Sequence, residues 1–410
     1  MAIKAADLIH VGNGTFMLDR LQSGGPGQLS QNVQVDKELG NYKSVATTRD
    51  TPDLSFSLES WDVTTEIEQM LTRTASVGAG GMDMSTVYSA DMLAHVKPGA
   101  LAGTPFAVVE SVAMPLLFPE RLSYSFATEQ NSSLTVGLRG DQINWNPGPS
   151  YNQRVAGSGS PAQTIVLTNP AGVYADSTGD TRILALSIDG QRQIEGLDFS
   201  VVATTPADDF TACTITMLKT VAATSIISVV YFSSTALSFL QNTHPLSSVK
   251  PSAVKGRDIR VYVGATYDPA DVPASDAYRW SGLQAATVDW AQTIVKDTEL
   301  GLSNAVTIEP EDAPTVNGQL TLRARTPQEL HSRLQQITGV ANPLRSIGPN
   351  SAVEQALDIV IRDSAGVVTK RLHVPDARFT VPGYQAQVGQ RLDAPLQMTS
   401  DSGTLVVYAA

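Results

Sequence analysis

Alternation of apolar and polar residues, the period of a strand with one buried face, recurs along the chain and yields to helical spacing only briefly. Leu54-Ser55-Phe56-Ser57-Leu58 reads as such a strand. A short helix follows around Glu66 and Leu71, with Ile67, Met70 and Leu71 as its apolar stripe and Asp62 or Thr64 as its cap. In the last third Leu320-Thr321-Leu322 is again followed by a helical stretch, in which Leu330, Leu334 and Ile337 share one face. Thr326-Pro327-Gln328-Glu329 opens that stretch with a capping Thr, a Pro in the first turn and Glu three residues on.

The two passages belong to a longer repetition. Asp7-Leu8-Ile9-His10-Val11-Gly12 returns as Asp258-Ile259-Arg260-Val261-Tyr262-Val263-Gly264. Glu38-Leu39-Gly40 returns as Glu299-Leu300-Gly301, 261 residues later, and Asp50-Thr51-Pro52 as Asp312-Ala313-Pro314, 262 residues later. Glu66 and Glu329 are 263 apart. Matches that keep their order at a near-constant offset imply duplicated domains, since this period far exceeds that of a solenoid repeat. The copies are expected over residues 1–150 and 250–410.

Between them, residues 155–240 form an insertion bounded by turn-rich sequence such as Asn146-Pro147-Gly148-Pro149 and His244-Pro245-Leu246. It reads as a row of strands: Ile183–Ile188, then the hairpin dipeptide Asp189-Gly190, then Phe199–Val202, Thr214–Met217 and Ser225–Tyr231. That is enough for a small β-sandwich of immunoglobulin-like size, seated on the surface of its host.

Composition narrows the function classes. Of 410 residues 42% are apolar, enough for several packed cores, and the formal net charge of −12 disfavours binding to nucleic acid or anionic lipid. The single cysteine, Cys213, excludes an internal disulfide and reads as a small buried side chain. The N-terminus lacks the basic start and apolar stretch of a signal peptide, and no apolar run reaches the length of a membrane span, so synthesis in the cytoplasm is expected and a membrane anchor is not.

Catalytic chemistry finds no foothold. His10, His95, His244, His331 and His373 show no ligand spacing, and one thiol cannot make a Cys-x-x-Cys pair. Nucleotide and nucleophile-elbow patterns are absent, and Gly78-Ala79-Gly80-Gly81 lacks the lysine of a phosphate loop. The carboxylate clusters Asp208-Asp209, Glu309/Glu311/Asp312 and Glu66/Glu68 read as solvated, whereas a glycosidase pair needs one carboxyl in an apolar pocket. No catalytic, cofactor or metal residue is therefore assigned. A carbohydrate-binding or carbohydrate-active β protein is the alternative, with aromatics at only 6% against it.

The segments Glu38–Lys43, Arg49–Pro52, Phe56–Asp62 and Glu66–Leu71, with Val254–Gly264 and Val360–Gly366, resemble tail tube proteins (major tail proteins) of long-tailed bacteriophages. The resemblance covers both flanking copies and implies a mainly β fold. It implies two tandem tube-type β-sandwich or barrel domains, each with a short flanking helix, and an inserted β-sandwich that decorates the surface. It further implies a virion role without enzymatic activity: a homo-oligomeric ring, trimeric and pseudo-hexameric for a duplicated chain or else hexameric, stacking into a hollow tail tube. Tape-measure and terminator proteins would be its partners, assembly would occur in the host cytoplasm, and DNA would pass through without specific binding. Tube subunits of contractile injection machines share the expected fold. Glu38, Leu39, Gly40, Asp50 and Pro52, with Glu299, Leu300, Gly301, Asp312 and Pro314, are the candidate assembly motifs. A negative lumen wall is expected, and the loops after Gly40 and Gly301 are candidates for contacts between rings.

Overall fold

The computed structural model describes residues 8–12, 21–30, 33–36, 46–49, 51–61, 65–73, 81–97, 110–146, 148–167, 183–203, 213–232, 254–264, 280, 282–299, 304–324, 326, 354–362, 366–380 and 392–409. The first unit runs through β1 (Leu8–Gly12), β2 (Leu21–Ser30), β3 (Val33–Asp36), β4 (Ala46–Arg49) and β5 (Asp53–Ser60). Helix α1 (Glu66–Thr72) follows, then β6 (Met82–Asp83), β7 (Ala90–Lys97), β8 (Glu110–Ala127), β9 (Ser133–Gly140) and β10 (Asn144–Asn146). Thr65, not Asp62 or Thr64, is the N-cap of α1, and its hydroxyl accepts from the Gln69 side chain instead of a helix amide.

The middle segment contains β11 (Ser150–Ala156), β12 (Thr164–Val166), β13 (Ile183–Ile188), β14 (Gln191–Arg192), β15 (Phe199–Ala203), β16 (Cys213–Met217) and β17 (Ile226–Phe232). They make two small sheets, β11-β17-β13-β14 and β12-β16-β15, around a separate core that includes Ile215, Met217, Ile227 and Tyr231. Asp189 and Gly190 take φ of 52° and 92° in the β13–β14 turn, as a tight hairpin requires.

The second unit comprises β18 (Ile259–Val263), β19 (Leu283–Ala291), β20 (Ile294–Asp297), β21 (Thr307–Pro310) and β22 (Thr315–Ala324). β23 (Gln355–Arg362), β24 (Val368–Thr380), β25 (Leu392–Ser400) and β26 (Val406–Ala409) complete it. Its strand order, β18-β23-β24-β25-β22-β19, is that of the first unit, β1-β7-β8-β9-β5-β2. The irregularities repeat as well. The β2/β5 ladder slips between Leu21 and Ser23, and the β19/β22 ladder between Leu283 and Ala285. The β7/β8 ladder slips at Ala90/Met92, and the β23/β24 ladder at Gln355/Leu357. Hairpins β3–β4 and β20–β21 share a register, pairing Val33 with Arg49 and Ile294 with Pro310. Bulges are persistent features of a ladder, and these recur at matched positions in the two units.

The fold is thus mainly β, in large antiparallel sheets. Its ten-strand path crosses from one unit to the other where β8 pairs with β19. Strand alternation sends one face of this path inward: Phe56, Leu58, Leu122, Tyr124, Val136, Val288, Trp290, Leu320 and Leu396 lie in a single core shared by both units. Helix α1 closes over that face with Ile67, Met70 and Leu71. The opposite face carries hydroxyl and amide side chains, among them Ser55, Ser57, Thr135, Asn317, Gln319 and Gln397, all exposed.

Candidate functional site

Among the described residues no group of three or more His, Cys, Asp or Glu side chains is placed to hold a metal ion. No described helix is long and apolar enough to cross a membrane. His10, His95, His244 and His331 lie outside the residues whose side chains are described, as do Cys213, Asp208 and Asp209. Glu309, Glu311 and Asp312 are exposed, as expected. Glu68 is not. It is fully buried and accepts a hydrogen bond from Tyr124 Oη at 2.5 Å and from Lys370 Nζ of the second unit. The spacing that made Glu66 and Glu68 look like a solvated flank is overridden by β24, which brings a cation to the helix from 302 residues away. Burial, and then the neighbouring Glu68 charge, push the Tyr124 phenol well above its ordinary 10.0, keeping it a proton donor.

The site the fold does build is the joint between the units. Residues Ala285–Ala291 of β19 run antiparallel to Arg121–Ala127 of β8, and Arg121 Nη2 meets Asp289 Oδ1 across the seam at 2.9 Å. The β20–β21 hairpin then folds over the first unit. Lys296 Nζ donates to Pro52 O (3.0 Å), Asp53 Oδ1 (2.6 Å) and Gly140 O (2.6 Å), while Gln292 Nε2 reaches Pro119 O at 2.7 Å. Ile294, Ala305 and Ile308 pack on Phe118. Asp53 also takes a two-pronged contact from Arg139, 2.9 Å on each oxygen. That contact first, and Lys296 with it, hold the Asp53 carboxyl at about 2, against the burial that would raise it.

The middle segment locks the same joint. The Asp141 carboxylate is wholly buried, accepting from Arg192 Nη2 at 2.7 Å and from the Ala305 amide at 2.6 Å. Arg192 also donates to Gln142 Oε1, and its backbone amide to Val306 O. Asp91 of β7 binds the same segment through Asn152 Nδ2 (2.8 Å) and Ser228 Oγ (2.6 Å), while accepting the Leu116 amide, whose residue has a φ of 57°. A buried carboxylate needs such partners: Asp141 has a cation and an amide, and Asp91 has the Asn152, Ser228 and Leu116 donors. The insertion is thus fastened to both units.

Of the residues read from sequence as assembly motifs, Glu38, Leu39, Gly40, Asp50, Leu300 and Gly301 lie outside the described residues. Pro52 sits at the joint through its carbonyl. The Pro314 carbonyl closes against Gly403, where a Cβ would meet it at 1.8 Å, and Glu299 and Asp312 are exposed. Sequence reasoning missed Asp141, Arg192, Glu68 and Lys370. Only Lys370 left a trace, sharing strand parity with the buried Leu372 and Val374.

No family model and no curated protein sequence matches the chain. Solved structures similar to part of it include two of phage-tail-like particles. One is described as the sheath-tube complex of an extracellular contractile injection system, PVC, in its extended state: 14% identity, TM-score 0.28, 40% of this chain and 95% of that one. The other is described as the tube-terminating cap of the anti-feeding prophage: 13% identity, TM-score 0.25, 39% of this chain and 93% of that one. Similarity of this size carries no argument about what the chain does.

Proposed function

We propose that the chain is the repeating subunit of a hollow tail tube, a structural virion protein that conducts DNA without acting on it. The observation that carries this is the β8–β19 seam between two units of identical topology. β2 occupies in the first unit the place β19 holds in the second, yet among the described residues β2 pairs only with β5. An edge of that kind invites another strand. Repeating the seam from chain to chain gives a head-to-tail association, which closes into a ring when the rotation allows. With two units per chain a ring of three chains has six equivalent places. Four strands from each unit would make a barrel of about 24 strands, wider than the 16–18-stranded barrels that already enclose water.

The polar sheet face is the wall we assign to the lumen. Its described charges come mostly in pairs, Arg121 with Asp289, Arg139 with Asp53 and Arg323 with Asp393. Such a wall leaves phosphates unheld, since tight, salt-sensitive DNA binding needs an excess of Lys and Arg. A tape-measure protein and a tail terminator are the partners this role entails, and the assembled virion tail is its location.

Electron microscopy of the purified chain tests the proposal. Hollow rings or tubes, with a ring mass of three chains, are the expected result. A ring of six chains would reject the trimer and keep the tube. A monomer at every concentration, or one that binds sugars, would overturn the proposal in favour of a carbohydrate-binding protein. A surrounding sheath in the native particle would place the tube in a contractile machine.

A further inference from the structure

The duplication allows the inside of the chain to be used as a template for its outside. The ladders set the correspondence: β5 and β22 differ by 262 residues, β9 and β25 by 260, and the two hairpins by 261. Asp53, Arg139 and Asp141 of the first unit thus correspond to Thr315, Thr399 and Asp401 of the second, and Lys296 corresponds to Val35.

Two features of these positions stand out. First, charge changes in concert: Lys296, Asp53 and Arg139, joined within the chain, become Val35, Thr315 and Thr399, neutral together. Second, the counterparts of sealed residues stand open. The Asp141 side chain is 0% exposed beneath the β20–β21 hairpin, whereas that of Asp401 is 45% exposed with Arg378 as its ion-pair partner. Val407 of β26 is 0% exposed where it pairs with Met82 of the first unit; its counterpart on β10, Trp145, is 68% exposed. An unneeded surface would show neither the coordinated loss of charge nor a bare tryptophan at the place where its twin is buried.

We infer that the second unit of one chain receives the first unit of another copy by the operation that joins the two units within the chain. The β3–β4 hairpin of the incoming copy lies over Thr315, Ser400 and Asp401, Val35 stands opposite Thr315, and Trp145 of the incoming copy is covered. This rests on the tube reading and specifies its contacts. Thr315 and Thr399 are neutral, and the charges of this surface are satisfied by one another, Arg378 with Glu354 and Asp401, so the occupant is a second copy of this chain and not a charged partner.

A charge-rebuilding cycle tests it. Thr315→Asp and Val35→Lys each place an unpaired charge in the contact, and each should weaken self-association about tenfold. The double variant recreates between chains the Lys296–Asp53 pair and should recover to within about threefold of wild type. Additive losses in the double, or no loss in either single, would overturn the docking while wild-type rings left the tube reading standing; a wild-type chain that never associates would end both. Trp145 provides a second measurement. Acrylamide should quench wild-type emission less in the assembled state than in the monomer, and Trp145→Phe should abolish that difference. Equal quenching of Trp145 in the two states would overturn the docking.

Discussion

Lys370 of β24 and Glu68 of α1 form an ion pair with side chains 1% and 0% exposed, although 302 residues separate them in the chain. The pair sits in the shared core, with the Lys370 ammonium 4.9 Å from the centre of the Tyr124 ring and Tyr124 Oη on the same carboxylate oxygen. It therefore fixes the angle at which the helix of one unit meets a strand of the other. A pair of this kind adds little stability relative to apolar residues, because desolvation offsets most of the attraction, but it penalises any arrangement that separates the partners.

Removing one partner should consequently cost far more than removing both. Lys370→Met leaves Glu68 buried without its cation, and should lower unfolding stability by about 3–5 kcal/mol. Lys370→Met combined with Glu68→Leu should return most of that loss or exceed wild type. Equilibrium denaturation in urea measures both; a double variant as unstable as the single would contradict the account.

The Asp53 carboxyl predicts an acid-side dependence. Its folded value of about 2, held down first by Arg139 and then by Lys296, lies below the ordinary 3.8. A depressed carboxylate contributes stability that is fully present above its unfolded value and is lost as pH falls through the folded one. Its contribution should therefore fade between about pH 4 and pH 2. Solvent screening of the 41%-exposed side chain keeps the effect near 1 kcal/mol. Asp53→Asn should remove that slope and lower stability at pH 7 by a similar amount; an unchanged slope would show that Asp53 is not its source.

These features divide sharply in how far sequence shows them. The strands of each unit were legible because alternation is local, as in Leu54–Leu58. The Asp189-Gly190 hairpin was legible for the same reason: its backbone requirement is met by two adjacent residues. The seam was not, since nothing in Arg121–Ala127 records that its neighbour is Ala285–Ala291. Glu68 misled because a carboxylate two residues from another on a short helix is ordinarily solvated, and its cation lies in a different unit. Arg192 gave no signal at all. It stands in an insertion whose own core is complete without it, and its purpose is visible only once Asp141 is seen buried beneath it.

That last contact yields a prediction opposite to the one a mere decoration would give. Asp141 receives Arg192 from the insertion and the Ala305 amide from the loop of the β20–β21 hairpin, so the insertion holds the hairpin through this carboxylate as well as through the Arg192 amide on Val306 O. Burial pulls the Arg192 guanidinium below its ordinary 12.5, and the Asp141 charge opposes that. Arg192→Met should strand Asp141 as an unpaired buried carboxylate and raise hydrogen exchange across Ile294–Asp297 and Thr307–Pro310, with exchange in β5 and β9 unchanged. Excising residues 160–235 should loosen the same hairpin and weaken assembly, and adding Asp141→Asn to Arg192→Met should restore part of the protection by removing the stranded charge. Were the hairpin as protected in Arg192→Met as in wild type, the insertion would be a passenger on the joint and not its fastening.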